Sequence, residues 1–184
     1  MEFLNGKDER WLVAYIPSVD QLHQCWNEYK KGEVPSDPVA YCYFPSLMDP
    51  SLAPEGYHTC TIFSHYFPAN PPPGKHNEYR DLMAERAIDA IERFAPGFRD
   101  AIIDKVVLTQ EYFKKTFGVT GGDFASGLMH PSQMWDKRPV PGSGSYRTPI
   151  ENLVMCGAAC HPGPGVTCRP GYNAAMEVLE GWQD

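Results

Sequence analysis

The sequence predicts an α+β fold in which helices cover one face of a mixed β-sheet. Three observations carry this prediction. Runs of strand length, apolar or rich in aromatic and branched side chains, recur at residues 10–16, 39–44 and 57–67. One long stretch, 77–94, places apolar residues at helical rather than alternating spacing. Connections are dense in turn formers, with 18 Pro and 16 Gly in 184 residues, a Pro share roughly twice the average. The hydrophobic content of 42% is enough to build a core at this length.

Taken in order, residues 10–16 form the first expected strand, which Pro17 ends. Ser18-Val-Asp-Gln21 then has the capping-box pattern, followed by Val19, Leu22, Trp26 and Tyr29 at helical spacing and Gly32 as the stop. The runs at 39–44 and 57–67 are expected as strands joined through the turn-dense segment 45–56. The clearest helix runs over 77–94, where Tyr79, Leu82, Met83, Arg86, Ala87, Ala90, Ile91 and Phe94 make one stripe that Pro96-Gly97 terminates. Residues 101–108 are expected as another strand. Thr109 caps a short helix that Gly118 closes, and 119–145 is Gly- and Pro-rich without periodicity. A last strand at 152–156 leads through a glycine loop into a helix with Ala175, Val178, Leu179 and Trp182 on one face.

Charge and apolar runs remove several function classes. Sixteen Lys+Arg against 23 Asp+Glu give a net charge of −7, and no basic patch gathers, which argues against a nucleic-acid partner. Apolar runs such as 11–16 and 106–108 are far below the ~20 residues a membrane-spanning helix needs. Glu2, Lys7, Asp8, Glu9 and Arg10 stand where a secretory signal would have its apolar core, so no export signal is expected. The six cysteines lack paired spacing and are expected as free cytosolic thiols.

The segment from Tyr146 to Ala175 carries the most chemistry. It reads as strand, glycine loop and helix. Small residues allow close backbone approach, and a helix start offers free N–H groups and a positive dipole end to electron-rich oxygens. Gly163 and Gly165 begin a G-x-G, but Cys168 stands at the sixth position, so the dinucleotide fingerprint fails. From spacing alone a tight structural turn competes with a ligand loop. Cys156, Cys160, His161 and Cys168 could suggest zinc or an atypical haem attachment, although the spacing is not a usual one, and no metal site is assigned. His58 and His65, seven apart, fall on opposite faces of an extended strand and cannot share a ligand. Gly121-Gly122-Asp123 and Gln133 could line a substrate side or simply form a loop needing positive φ. No G-x-S-x-G elbow supports a serine hydrolase. Tyr41, Tyr43, Phe44, Phe63, Tyr66 and Phe67 could wall an apolar substrate or be ordinary sheet core.

The same segment resembles the C-terminal flavin-binding signature of phytoene desaturase-like FAD oxidoreductases, especially the pyridine nucleotide-disulfide oxidoreductase domain proteins. Further resembling motifs lie upstream in order: Ile16-Pro-Ser-Val-Asp20, Pro45-Ser-Leu-Met-Asp-Pro-Ser-Leu-Ala-Pro54 with Gly56, Ala95-Pro-Gly-Phe98, Gly118 with Gly121-Gly122, and Arg138-Pro-Val-Pro-Gly142. Two departures stand out: Pro164 where that family usually has Gly, and Cys168-Arg169 in place of small residues before Pro-Gly.

The resemblance implies a two-lobed flavoprotein. Residues 1–145 would be a portion of its substrate-binding lobe, and 146–184 a strand, loop and helix of its FAD lobe. Cofactor contacts are implied at Gly157, Ala158, His161, Pro162, Gly163, Gly165, Val166, Thr167, Pro170, Gly171 and Asn173. The helix after Pro170-Gly171 would aim its N–H groups at the flavin's pyrimidine end. The N-terminal Rossmann unit of the family, with its G-x-G-x-x-G, is absent from these residues. The implied function is hydride transfer from an apolar small-molecule substrate to FAD, with the chain inactive alone and its catalytic side chains unknown. A separate Rossmann-containing half and self-association into homo-oligomers are the implied partners. A cytoplasmic location follows, free or peripheral to a membrane. The competing expectation is a stand-alone, non-catalytic binding or oligomerisation domain derived from the same family.

Overall fold

The computed structural model of the chain describes residues 11–16, 18–123 and 125–181. The expected strand start at Arg10, the stop at Pro17 and the helix residue Trp182 lie outside the described residues. The chain folds as two compact units, 1–107 and 108–184.

In the first unit, β1 (Leu12–Tyr15), β2 (Val39–Tyr43) and β3 (Thr61–His65) make a sheet ordered β1-β2-β3. Both pairings are antiparallel, with Ala14 opposite Tyr41 and Tyr41 opposite Phe63. The α+β class therefore holds, whereas the expected mixed sheet is corrected to an antiparallel one among the described residues. Side-chain alternation divides its faces. Ala40 and Cys42 of β2, followed by Phe44, turn inward onto Ile88, Ala90 and Ile91 of α2 (His76–Glu92), with Ala95 and Phe98 closing the core. Tyr15 joins this side by stacking on Phe94, ring centroids 5.7 Å apart. The long helix thus lies where the spacing predicts, and it ends because the Glu92 carboxylate accepts from the N–H groups of Gly97 (2.7 Å) and Arg99 (2.8 Å).

The helix α1 (Val19–Lys30) is capped by Ser18, whose Oγ accepts from Gln21 N at 3.1 Å. The reciprocal half of the capping box is not made by the Gln21 side chain, because its Nε2 donates to the Asp37 carbonyl at 2.5 Å. The apolar spacing does not mark the buried face of this helix: Gln21 and Cys25 are buried, while Val19 and Trp26 are exposed. The buried Pro35 and Pro38 segment crosses Gln21 and Cys25, and its Asp37 carbonyl needs the donors that those residues, unlike Val or Leu, supply.

Two expected strands do not form. Residues 101–108 run without a ladder partner among the described residues, leaving Ile103 (78%) and Val106 (81%) exposed. An apolar run becomes a strand only where another backbone pairs its N–H and C=O groups. The run 152–156 makes a single antiparallel bridge, Arg147 with Val154, and Cys156 is exposed.

The second unit opens with α3 (Gln110–Phe117), which Gly118 closes at φ +67° as expected, while Thr109 stands at the N-cap position without the side-chain capping bond. It ends with α4 (Arg169–Gly181). This helix begins ahead of Pro170-Gly171, so both residues belong to its first turn, where proline's missing N–H costs nothing. Its buried positions are Pro170 and Ala174; Ala175 and Leu179 of the expected stripe are exposed.

Candidate functional site

The glycine loop 157–168 is held from behind by two buried side chains. Arg138 is only 2% exposed. Its guanidinium donates to the Ala158 carbonyl through Nη2 (2.8 Å) and Nε (3.2 Å), to the Ala125 carbonyl, and at longer range to Ser126 (3.4 Å) and Leu128 (3.5 Å). These acceptors are backbone oxygens, so a formal charge is compensated by dipoles. Such a fork joins two loop segments that no ladder connects. Tyr146, 7% exposed, donates its hydroxyl to the His161 carbonyl (2.8 Å) and accepts from Asn173 Nδ2 (2.7 Å). It packs with Cys160, Ala174 and Met155, tying the loop to the first turn of α4.

The implied cofactor residues fall into two sets on this scaffold. Ala158, His161, Gly163, Pro170 and Asn173 face inward or spend their polar groups internally. His161 Nδ1 accepts from Trp135 N at 3.2 Å, and Pro162, half-buried, follows a cis peptide. Gly163 is buried, and a Cβ there would meet Met129 Sδ at 3.0 Å and Arg138 Nε at 3.5 Å. Gly157, Gly165, Val166, Thr167 and Gly171 form the outward set. A Cβ on Gly157 or Gly171 would meet nothing within 4 Å, and Gly165 has only Thr167 Cγ2 at 3.7 Å. Val166 is fully exposed at φ +55°.

The N–H groups of Gly165, Val166 and Thr167 find no acceptor among the described residues. Thr167 Oγ1 accepts from Arg169 N at 3.3 Å, at the start of α4. Free backbone donors beside open glycines suit an electron-rich, planar ligand, although in the first turn of α4 Arg169 N is taken by Thr167, Pro170 has no N–H and Tyr172 N donates to the Cys168 carbonyl. The donor set therefore fits a flavin edge. Among the described residues, no group of three or more His, Cys, Asp and Glu could hold a metal ion.

Other predicted positions resolve individually. Gly122 is glycine because the Gln110 backbone occupies the place of its Cβ, with Gln110 Cα 2.6 Å away. Asp123 caps its own loop, accepting from Ala125 N (2.8 Å) and Gly127 N (3.3 Å), and Gln133 Oε1 accepts from Leu128 N (2.9 Å). The aromatics separate by face: Phe44 is core, whereas Tyr41 and Phe63 meet on the opposite face at 6.5 Å, with His65 edge-on to both. His58 Nδ1 lies 3.2 Å from Ser46 Oγ. Burial pushes the His65 imidazole below its ordinary value. Sequence reasoning gave Arg138 and Tyr146 no role; the one available signal was the place of Arg138 at the head of the Arg138-Pro-Val-Pro-Gly142 motif.

Among the described residues, no helix is long and apolar enough to cross a membrane. No protein-family model matches the chain. Comparison with curated proteins finds relatives. Pyridine nucleotide-disulfide oxidoreductase domain-containing protein 2 of Rattus norvegicus is 36% identical over 160 residues, 86% of this chain and 28% of that protein. A 4,4'-diapolycopen-4-al dehydrogenase of Metabacillus indicus is 30% identical over 75% of this chain and 27% of its own length. A neurosporene-forming phytoene desaturase of Cereibacter sphaeroides is 29% identical over 82% of this chain and 28% of its own length. The chain thus spans less than a third of each of these relatives.

Proposed function

From its homology to pyridine nucleotide-disulfide oxidoreductase domain proteins and phytoene desaturase-like enzymes, we propose that this chain supplies flavin-contacting and substrate-contacting parts of an FAD-dependent oxidoreductase acting on an apolar small molecule. The observation that carries the reading is the outward glycine set, with free N–H groups at Gly165, Val166 and Thr167 beside the start of α4. In this reading Gly157, Gly165, Val166, Thr167 and Gly171 lie against the cofactor. Ala158, His161, Pro162, Gly163, Pro170 and Asn173 shape the loop, with Arg138 and Tyr146 fixing it. FAD, when bound, supplies the hydride acceptor. The chain's contribution is positional: donors held in place from behind stabilise negative charge without reorganising. No side chain is assigned as acid or base.

The open sheet face of Tyr41, Tyr43 and Phe63 offers the apolar contact. Its aromatic edges and half-exposed rings suit a long hydrocarbon better than a charged substrate. The lobe assignment, 1–145 for substrate and 146–184 for flavin, belongs to this proposal. The ADP-holding unit of such an enzyme lies outside these residues, so the chain alone is inactive and retains FAD poorly. A cytoplasmic location, free or at a membrane surface, is part of the same reading.

The test transplants the chain. In the Cereibacter sphaeroides phytoene desaturase, the matching segment is replaced by this chain, and flavin absorbance and phytoene conversion are read on the folded chimera. About one flavin per polypeptide with conversion supports the proposal. A folded chimera without flavin contradicts its cofactor part, and bound flavin without turnover of any apolar polyene contradicts its substrate part.

A second reading, an oligomerising module, draws on the exposed apolar stripe of Tyr172 (57%), Met176 (37%) and Leu179 (51%) on α4. Such a stripe favours self-association.

A further inference from the structure

We propose that Cys42 and Cys60 form a peroxide-sensitive thiol pair that closes to a reversible disulfide across β2 and the entry to β3. The inference is independent of the flavin reading. The sheet register sets the geometry. Cys42 pairs with Ile62 and Tyr43 with Thr61, so continuing the register puts Cys60 opposite Phe44. Because side chains alternate, Cys60 falls on the same face as Cys42, as its diagonal neighbour. The chain ahead of β3 stays beside β2 because Ser46 Oγ accepts from Thr59 N at 3.1 Å and contacts His58 Nδ1 at 3.2 Å.

The neighbouring Cys60 thiol and burial push Cys42 up, whereas the Cys42 thiol holds Cys60 below the ordinary thiol value against its own desolvation. Cys42 is wholly buried and Cys60 exposed. Cys60 is therefore the accessible thiol and the more readily ionised one, and Cys42 waits behind it as the resolving thiol. Diagonal neighbours in a regular ladder lie beyond disulfide reach, so closing the bridge moves the backbone ahead of β3 toward β2. Residues 57–60 allow this, being outside the ladder.

The chemistry balances with hydrogen peroxide as oxidant. The Cys60 thiolate attacks one peroxide oxygen, the O–O bond breaks, and the departing oxygen leaves as water after taking a proton, giving a sulfenic acid. The Cys42 sulfur then attacks the Cys60 sulfur; the S–O bond breaks, and hydroxide leaves as water with the Cys42 proton. Two thiols lose two electrons in total, and one peroxide becomes two waters. The product fixes the start of β3 against β2, behind the strand that carries Phe63 and His65.

The experiment treats the native chain with hydrogen peroxide, alkylates it under denaturing conditions, and maps it by mass spectrometry without reduction. Trypsin releases residues 32–75 as one peptide containing Cys42 and Cys60 and no other cysteine. The expected product is that peptide unalkylated and two hydrogens lighter, its halves still joined after a further cut at Glu55, and restored by dithiothreitol. In Cys42→Ser, which keeps a hydroxyl beside the Cys60 sulfur but cannot form a bridge, dimedone should trap a Cys60 sulfenate at least about fivefold more than in the unsubstituted chain, the resolving thiol being gone. The proposal is overturned if Cys42 and Cys60 are both alkylated after peroxide, if Cys60 bridges elsewhere, or if dimedone trapping is equal in both proteins.

Discussion

Arg138 and Tyr146 show how much of a loop can depend on side chains that never reach its outer surface. Replacing Arg138 by Met keeps the bulk but leaves the half-buried Ala158 and Ala125 carbonyls without the guanidinium donor. The expected loss is about 3 kcal/mol in urea unfolding followed by tryptophan fluorescence, and Arg138→Lys, which keeps the charge without the fork, should lose about half as much. Tyr146→Phe removes one hydroxyl shared by His161 and Asn173, and about 1–2 kcal/mol should go with it. Neither residue could be assigned such a role from the sequence, because the burial of Arg138 depends on four carbonyls brought from two separate segments. The glycine loop itself was legible, since small residues and prolines declare a turn locally; which glycines face inward was not. Gly163 and Gly165 look alike in the sequence and differ only in what Met129 and Arg138 place beside them.

Elements with self-contained signals match their prediction. The α2 stripe, the Ser18 and Gly118 caps and β2 are encoded by spacing or by one residue's chemistry. Elements that depend on a distant neighbour do not match: 101–108 is apolar but has no strand beside it among the described residues, and α1 buries Gln21 because the Asp37 carbonyl crosses it. The contact between α3 and the Gly122 turn gives a graded test. Gly118→Ala meets empty space and should cost about 1 kcal/mol for its positive φ, whereas Gly122→Ala must also displace the Gln110 backbone and should cost more than twice that in the same denaturation assay. At β3, burial depresses the His65 imidazole, so the unfolded chain binds a proton that the folded chain resists. That contribution to stability is whole above the ordinary histidine value of 6.5 and is lost as pH falls through it toward the folded value. Thermal unfolding between pH 7.5 and about 5 should show this loss, and His65→Gln should flatten it, in a window above the range where carboxylates titrate.

At the scale of the whole chain, the α+β class was readable from the spacing of apolar residues. The compact units separate at 107/108, whereas the boundary at 145/146 comes from the family resemblance and divides lobes rather than compact units. Within the second unit Arg138 and Tyr146 bind the 125–138 loops and the helix start to the glycine loop, contacts that no local pattern announces. The exposed Tyr172, Met176 and Leu179 stripe predicts self-association, read as a mass that rises with concentration in sedimentation; a monomer at every accessible concentration would remove that expectation.

The central claim, that the outward face of the glycine loop and the first turn of α4 contact flavin, is tested most directly by titrating FAD into the chain while following its backbone amide resonances. The purified chain should be colourless and bind weakly, with shifts concentrated at Gly157, Gly165, Val166, Thr167 and Gly171. Gly171 is the position for a blocking substitution, since a Cβ there meets nothing within 4 Å and its φ is not of the left-handed kind. Gly171→Val should abolish those shifts and leave the remaining spectrum unchanged. Shifts that are absent, that lie outside residues 157–173, or that persist undiminished in Gly171→Val would contradict the assignment.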